Sequence, residues 1–142
     1  MKKLLLMASL LVLSVSCADI VDAEIPTNNS NNNSSKITPP AWIQGTWIMK
    51  DSPSTGYKFT QNDICQVVNA NDICQKSTIE FNSSIGIETK VVQEVSDNEY
   101  KISITPGVGV THNYHFQKIS ENTIKDVNMS NSVGSTVTLI KQ

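Results

Sequence analysis

Side chains able to do chemistry are few in this 142-residue chain: three cysteines, two histidines, 13 carboxylates and 11 lysines, with no arginine. His112 and His115 stand three apart in a stretch that reads as a strand. That spacing sends them to opposite faces, so they do not share a metal ion. Asp126-x-Asn128-x-Ser130 begins like a calcium loop, but the place of the bidentate glutamate holds Val137. Gly107-Val108-Gly109 has no helix after it to complete a phosphate cradle. Glu94, Asp97 and Glu99 gather near a turn, where carboxylates are solvated. No Gly-x-Ser-x-Gly elbow, phosphate loop or His-Glu-x-x-His element occurs. The expectation is a non-enzymatic protein without metal or cofactor.

The missing arginines remove planar forks for phosphate, carboxylate or guanine edges. With a net charge of −2 there is also no positive field for nucleic acid, so no nucleic-acid partner is expected.

Cysteine carries more information. Asn62-Asp63-Ile64-Cys65-Gln66 is followed nine residues on by Asn71-Asp72-Ile73-Cys74-Gln75. Two copies are too few for a solenoid and suit a hairpin. A two-residue turn at Asn69-Ala70 pairs 68 with 71 and sets Cys65 opposite Cys74 at a non-hydrogen-bonded site. There a cross-strand disulfide fits, adding about 2.5–3 kcal/mol at most.

The elements around this hairpin follow a period of two. Tyr57 and Phe59, Ile79 and Phe81, Tyr100, Ile102 and Ile104, Tyr114 and Phe116, and Val137 and Leu139 each alternate with polar neighbours. Strands with one wet and one buried face read this way. Turn signals recur near every dozen residues, including Asp51-Ser52-Pro53, Asn82-Ser83-Ser84, Asp97-Asn98, Pro106-Gly107, Glu121-Asn122 and Asn131-Ser132. No window of twelve shows a helical stripe. Eight or nine short antiparallel strands over 42–142 predict an all-β sandwich or barrel of about a hundred residues.

Before that body the chain changes twice. Lys2 and Lys3 precede an apolar run from Leu4 to Val15, about 18 Å as a helix and too short to span a membrane. It reads as an export signal. Ser14 and Ser16 then lead into Cys17, and residues 1–16 resemble a bacterial lipoprotein signal, although Ser14 takes the place where that family favours leucine. The resemblance implies acylation of Cys17 (a diacylglycerol on sulfur, palmitate-type chains) and anchoring to the envelope, the outer membrane before the inner. Cleavage after Ala18 or Ala23 would instead release a soluble secreted protein. Residues 17–41 are Asn/Ser-rich, with nothing to bury from Pro26 to Ser35, and read as a disordered tether spanning roughly 25–30 Å. Without Lys2 and Lys3 the mature chain carries nine lysines against 13 acids. It has no electrostatic reason to lie flat on anionic lipid.

Trp42-Ile43-Gln44-Gly45-Thr46-Trp47 is similar to the opening of lipocalin-like barrels, where a short helical turn precedes a strand carrying Gly-x-Trp. Ser96-Asp97-Asn98-Glu99-Tyr100 fits that family's Thr-Asp-Tyr turn more loosely. The resemblance implies a small up-and-down β-barrel in which Trp47 closes the floor and Gly45 admits a close backbone. It also implies a cation across the tryptophan, for which Lys141 is the substitute in a chain without arginine. A small hydrophobic ligand would then enter the barrel mouth, lined by Tyr57, Phe59, Phe81, Tyr100, Ile102, Tyr114 and Phe116. These same residues are also enough to fill the interior completely. Two other readings stand beside it: a protein-binding envelope module, such as a hydrolase or lysozyme inhibitor acting through Ser54-Thr55-Gly56-Tyr57, and a structural envelope component without a ligand.

Overall fold

The structure is a computed structural model that describes residues 36–142. The signal, Cys17 and most of the tether lie outside the described residues. Nine strands form one antiparallel sheet: β1 (Gly45–Met49), β2 (Ser52–Phe59), β3 (Ile64–Val68), β4 (Asn71–Cys74), β5 (Thr89–Val95), β6 (Glu99–Pro106), β7 (His112–Ser120), β8 (Thr123–Asp126) and β9 (Val137–Lys141). Their order is β4-β3-β2-β1-β9-β8-β7-β6-β5. Chain neighbours pair throughout, except across one break between β4 and β5. β9 returns to β1, with Trp47 opposite Lys141 and Met49 opposite Leu139. The sheet thus curls into a half-barrel whose two free edges are β4 and β5.

A helix, α1 (Gln75–Ser84), carries the chain along that break. Here the structure corrects the reading of Ile79 and Phe81 as strand residues. Ile79 is the buried residue of α1, whereas Phe81 is 63% exposed and lines nothing inside the sheet. Cys74 at the helix start supplies no side-chain cap. Asp63, from the β2–β3 turn, does so from a distance: its Oδ1 accepts from the backbone N–H of Ile64 at 2.8 Å and of Lys76 at 2.9 Å. A second helix, α2 (Val127–Val133), replaces the turn expected at Asn131-Ser132. It begins on an Asp126 cap and ends at Gly134, whose φ of 69° is the left-handed stop that glycine favours.

The hairpin geometry follows the spacing. Asn69 and Ala70 have φ of 50° and 63°, the paired positive values of a tight hairpin turn. Val68 pairs with Asn71 and Cys65 with Cys74, whose sulfurs are 2.06 Å apart. Alanine is poorly suited to the left-handed region, so Ala70→Gly should raise stability by about 0.5–1 kcal/mol, read as a higher urea midpoint at unchanged slope.

One apolar core lies inside the curl, built from the inward residues of all the longer strands. Its floor is Trp47, fully buried, with the indole N–H donating to the Ile43 carbonyl at 2.6 Å. Lys141 Nζ sits 5.1 Å from that ring's centroid. Gly45, at φ +125°, leaves room for the lysine: a Cβ there would stand 2.9 Å from Lys141 Cε. The close backbone approach expected at Gly45 occurs at Gly56 instead, where a Cβ would lie 2.0 Å from the Trp47 carbonyl oxygen.

The body also begins earlier than 42. Ile37 belongs to the core, and Gln93 on β5 holds its neighbours. Gln93 Oε1 accepts from Thr38 N–H at 2.9 Å, and its Nε2 donates to the Lys36 carbonyl at 3.1 Å and to Thr38 Oγ1 at 3.2 Å. Further on, the Trp42 indole donates to the Ser96 carbonyl at 2.9 Å. Residues 36–41, read from sequence as tether, are therefore packed along β5. No helix among the described residues is long and apolar enough to cross a membrane.

Candidate functional site

Alternation along β2, β6 and β7 points Tyr57, Phe59, Tyr100, Ile102, Tyr114 and Phe116 inward, and all six are buried. They do not line an empty bore. Phe116 packs edge-on against Tyr57 and Phe59, each pair with centroids 5.0 Å apart, and Phe59 meets Tyr100 at 6.4 Å. Such edge-to-face packing leaves no ligand-sized space between the rings. Phe59, Tyr100, Ile102 and Phe116 are core residues, and Phe81 lies outside on α1.

Two of the inward rings reach open space. Strand directions place the turns after β1, β3 and β6, the end of α1 and the whole of α2 at one end of the curl, opposite the Trp47 floor. At that end a cavity of about 470 Å³ lies between the sheet and α2, lined by Tyr57, Gln66, Thr111–Tyr114, Asp126, Asn128, Met129, Ser132 and Val133. Gln66 pairs with Tyr57 across the strands and so shares its inward face. Among the described residues, neither Gln66 nor His112 has a side-chain hydrogen-bond partner.

Asp126 organises this mouth. It is buried, its Oδ2 accepts from the Tyr57 hydroxyl at 3.0 Å, and its Oδ1 accepts from Met129 N–H at 2.8 Å. Ser130 Oγ donates back to the Asp126 carbonyl and accepts from Val137 N–H at 2.9 Å. The Asp126 carboxylate thus starts α2 and ties it to β2, and the Ser130 hydroxyl ties the helix to β9. Nearby, Gln75 Nε2 on α1 donates to the Tyr114 hydroxyl at 3.0 Å.

Burial makes the buried tyrosines weaker acids. It holds the Tyr57 hydroxyl far above the usual tyrosine range, with the Asp126 charge and hydrogen bond adding to it. Burial likewise raises Tyr100, whose hydroxyl donates to Gln93 Oε1 at 2.8 Å, and Tyr114, where the Gln75 bond acts in the opposite sense. These raised values favour the native state at every pH below the unfolded tyrosine value near 10, and that stabilisation is lost as pH rises beyond it toward the folded values. Tyrosinate absorbance and circular dichroism should therefore change together above about pH 10. Ionisation that runs ahead of unfolding would contradict this burial.

A larger cleft, about 690 Å³, runs along the sheet break between residues 36–38 and α1, with Ile79, Ile87, Lys76, Glu80 and Glu88 on its walls. Elsewhere Asp63, Cys65 and Cys74 bring potential ligand atoms within 4.8 Å, but the two sulfurs are bonded to each other and the Asp63 carboxylate caps α1. Thiolate, not disulfide, binds metal. Ser54-Thr55-Gly56-Tyr57 lies within β2, with Gly56 pressed against the β1 backbone, and is not a projecting loop. His112 and His115 fall on opposite faces of β7, and His115 Nε2 stands 3.5 Å from Glu99 Oε1.

A small half-barrel with a filled interior and an open mouth is the class these observations define. No family model matches the chain, and neither does any curated protein or solved structure compared with it.

Proposed function

We propose that this chain is an exported, lipid-anchored protein of the bacterial cell envelope that performs no catalysis and binds a small uncharged, mainly apolar molecule in its mouth. One observation carries the ligand reading: a cavity opens beside Tyr57 and Tyr114, while the aromatic cluster beneath it is packed ring against ring. Its volume lies in the range of small-molecule sites. No cation stands among the lining residues, and the one acid, Asp126, is already engaged. An anionic ligand would find no lysine there, whereas Gln66 and His112 can hydrogen-bond a neutral one. The anchor rests on Lys2, Lys3, the apolar run and Cys17.

Thermal melting against a panel of neutral amphiphiles and hydrophobic dyes tests the ligand. A true ligand at a hundred times its Kd should add about 2.7 kcal/mol. Met129→Trp, which fills the mouth, should abolish the shift without unfolding the body. No shift with any compound would overturn the ligand reading and favour a protein partner. Mass spectrometry of the mature amino terminus tests the anchor: acylated Cys17 supports it, and an unmodified start beyond Cys17 overturns it.

A further inference from the structure

The mouth end carries an apolar collar that no part of the described body covers. Val108 and Val110, in the loop after β6, are 76% and 75% exposed, and Ile85, Val133 and Val68 are exposed beside the same opening. The collar is tied down, since Gly107 N–H donates to the Glu88 carbonyl at 2.7 Å and so joins that loop to the α1–β5 connection. The exposed charges in and beside the connections at this end, Lys50 beside Asp51 and Lys90 near Glu88, are of both signs. Exposed aliphatic groups in a rim of mixed sign suit a neutral apolar surface better than a strongly charged partner.

The chain enters the described body along the sheet's free edge. Between the Gln93 bonds at Lys36 and Thr38 and the Trp42 bond at Ser96, it runs along β5 from the mouth toward the floor. Lys36 borders the cleft along the sheet break, which reaches from Asn62 and Lys76 near the floor to Ser83, Glu88 and Thr89 near the mouth. From Cys17 to Lys36 the chain has 20 residues, which reach at most about 70 Å even when fully extended. Such a tether holds the body at high effective concentration near its anchor, where even a weak apolar contact is populated.

We propose that the collar rests on a zwitterionic bilayer, with Val108 and Val110 entering the headgroup region and the mouth turned toward the lipid. This rests on the lipid-anchored reading. It implies that the mouth exchanges its ligand with the membrane and not with bulk water.

The test uses the mature chain, expressed through its own leader and reconstituted on phosphatidylcholine vesicles. Val108→Cys and, separately, Asn122→Cys at the opposite end are labelled with a fluorophore, the native Cys65 and Cys74 being bonded to each other. The expected result is that the label at 108 loses quenching by an aqueous collider and gains quenching by lipid-borne nitroxides, while the label at 122 stays aqueous. Adding Val110→Ser and Val133→Ser should return position 108 to water with the protein still floating on the vesicles. A chain that floats with 108 as accessible as 122 overturns the orientation alone. A chain that does not float overturns the anchored reading and this inference with it.

Discussion

Trp47→Ala should destabilise the body by about 3–5 kcal/mol, a large share of what a domain of this size possesses. The indole is fully buried at the floor, and its removal leaves the Ile43 carbonyl without its donor as well as a cavity beneath the aromatic cluster. Lys141→Ala, which removes only the cation over the ring, should cost about 0.5–1 kcal/mol. Urea titration of the two variants measures both. Equal losses would mean that the lysine, and not the indole, holds the floor together.

Asp126→Ala should cost about 2–4 kcal/mol, because it removes the α2 cap and leaves the buried Tyr57 hydroxyl without its acceptor. Asp126→Asn keeps both roles in kind, since asparagine caps as well as aspartate and its carbonyl can accept from Tyr57. It should recover most of the loss. The readouts are the urea midpoint and protease cleavage within 127–133, which should rise only in the alanine variant. If the asparagine variant falls as far as the alanine one, the charge itself and not the pair of hydrogen bonds sustains the mouth.

Strands with strict alternation were legible in the sequence because one face of each meets the core: β2, β6, β7 and β9 lie where Tyr57, Tyr100, Tyr114 and Leu139 place them. The Cys65–Cys74 register was legible because two residues at Asn69-Ala70 admit few turn geometries. α1 was hidden for a physical reason. It covers a break in the sheet with one buried side chain, Ile79, so it has no apolar stripe, and Ile79 with Phe81 imitates a strand. α2 is seven residues long, below what periodicity resolves, yet its boundary signs were present in Asp126 and Gly134. The mouth was only half legible. Tyr57 and Tyr114 follow from alternation, whereas Gln66 joins them through cross-strand pairing. Gln93 and Asp63 act through partners far along the chain, and nothing in their local sequence distinguishes them from solvated residues.

The pairing of β1 with β9 has a further consequence, for how the molecule is made. The first strand of the sheet finds its second neighbour only in the last residues of the chain, so closure spans nearly the whole body. Contacts of that range fold slowly, and a chain made amino end first holds β1 to β4 with one flank unpaired until the carboxyl end follows. The early crosslink between Cys65 and Cys74 can form within that first half alone. Refolding without it should then slow at the nucleation of the hairpin, before any step that involves the final strand.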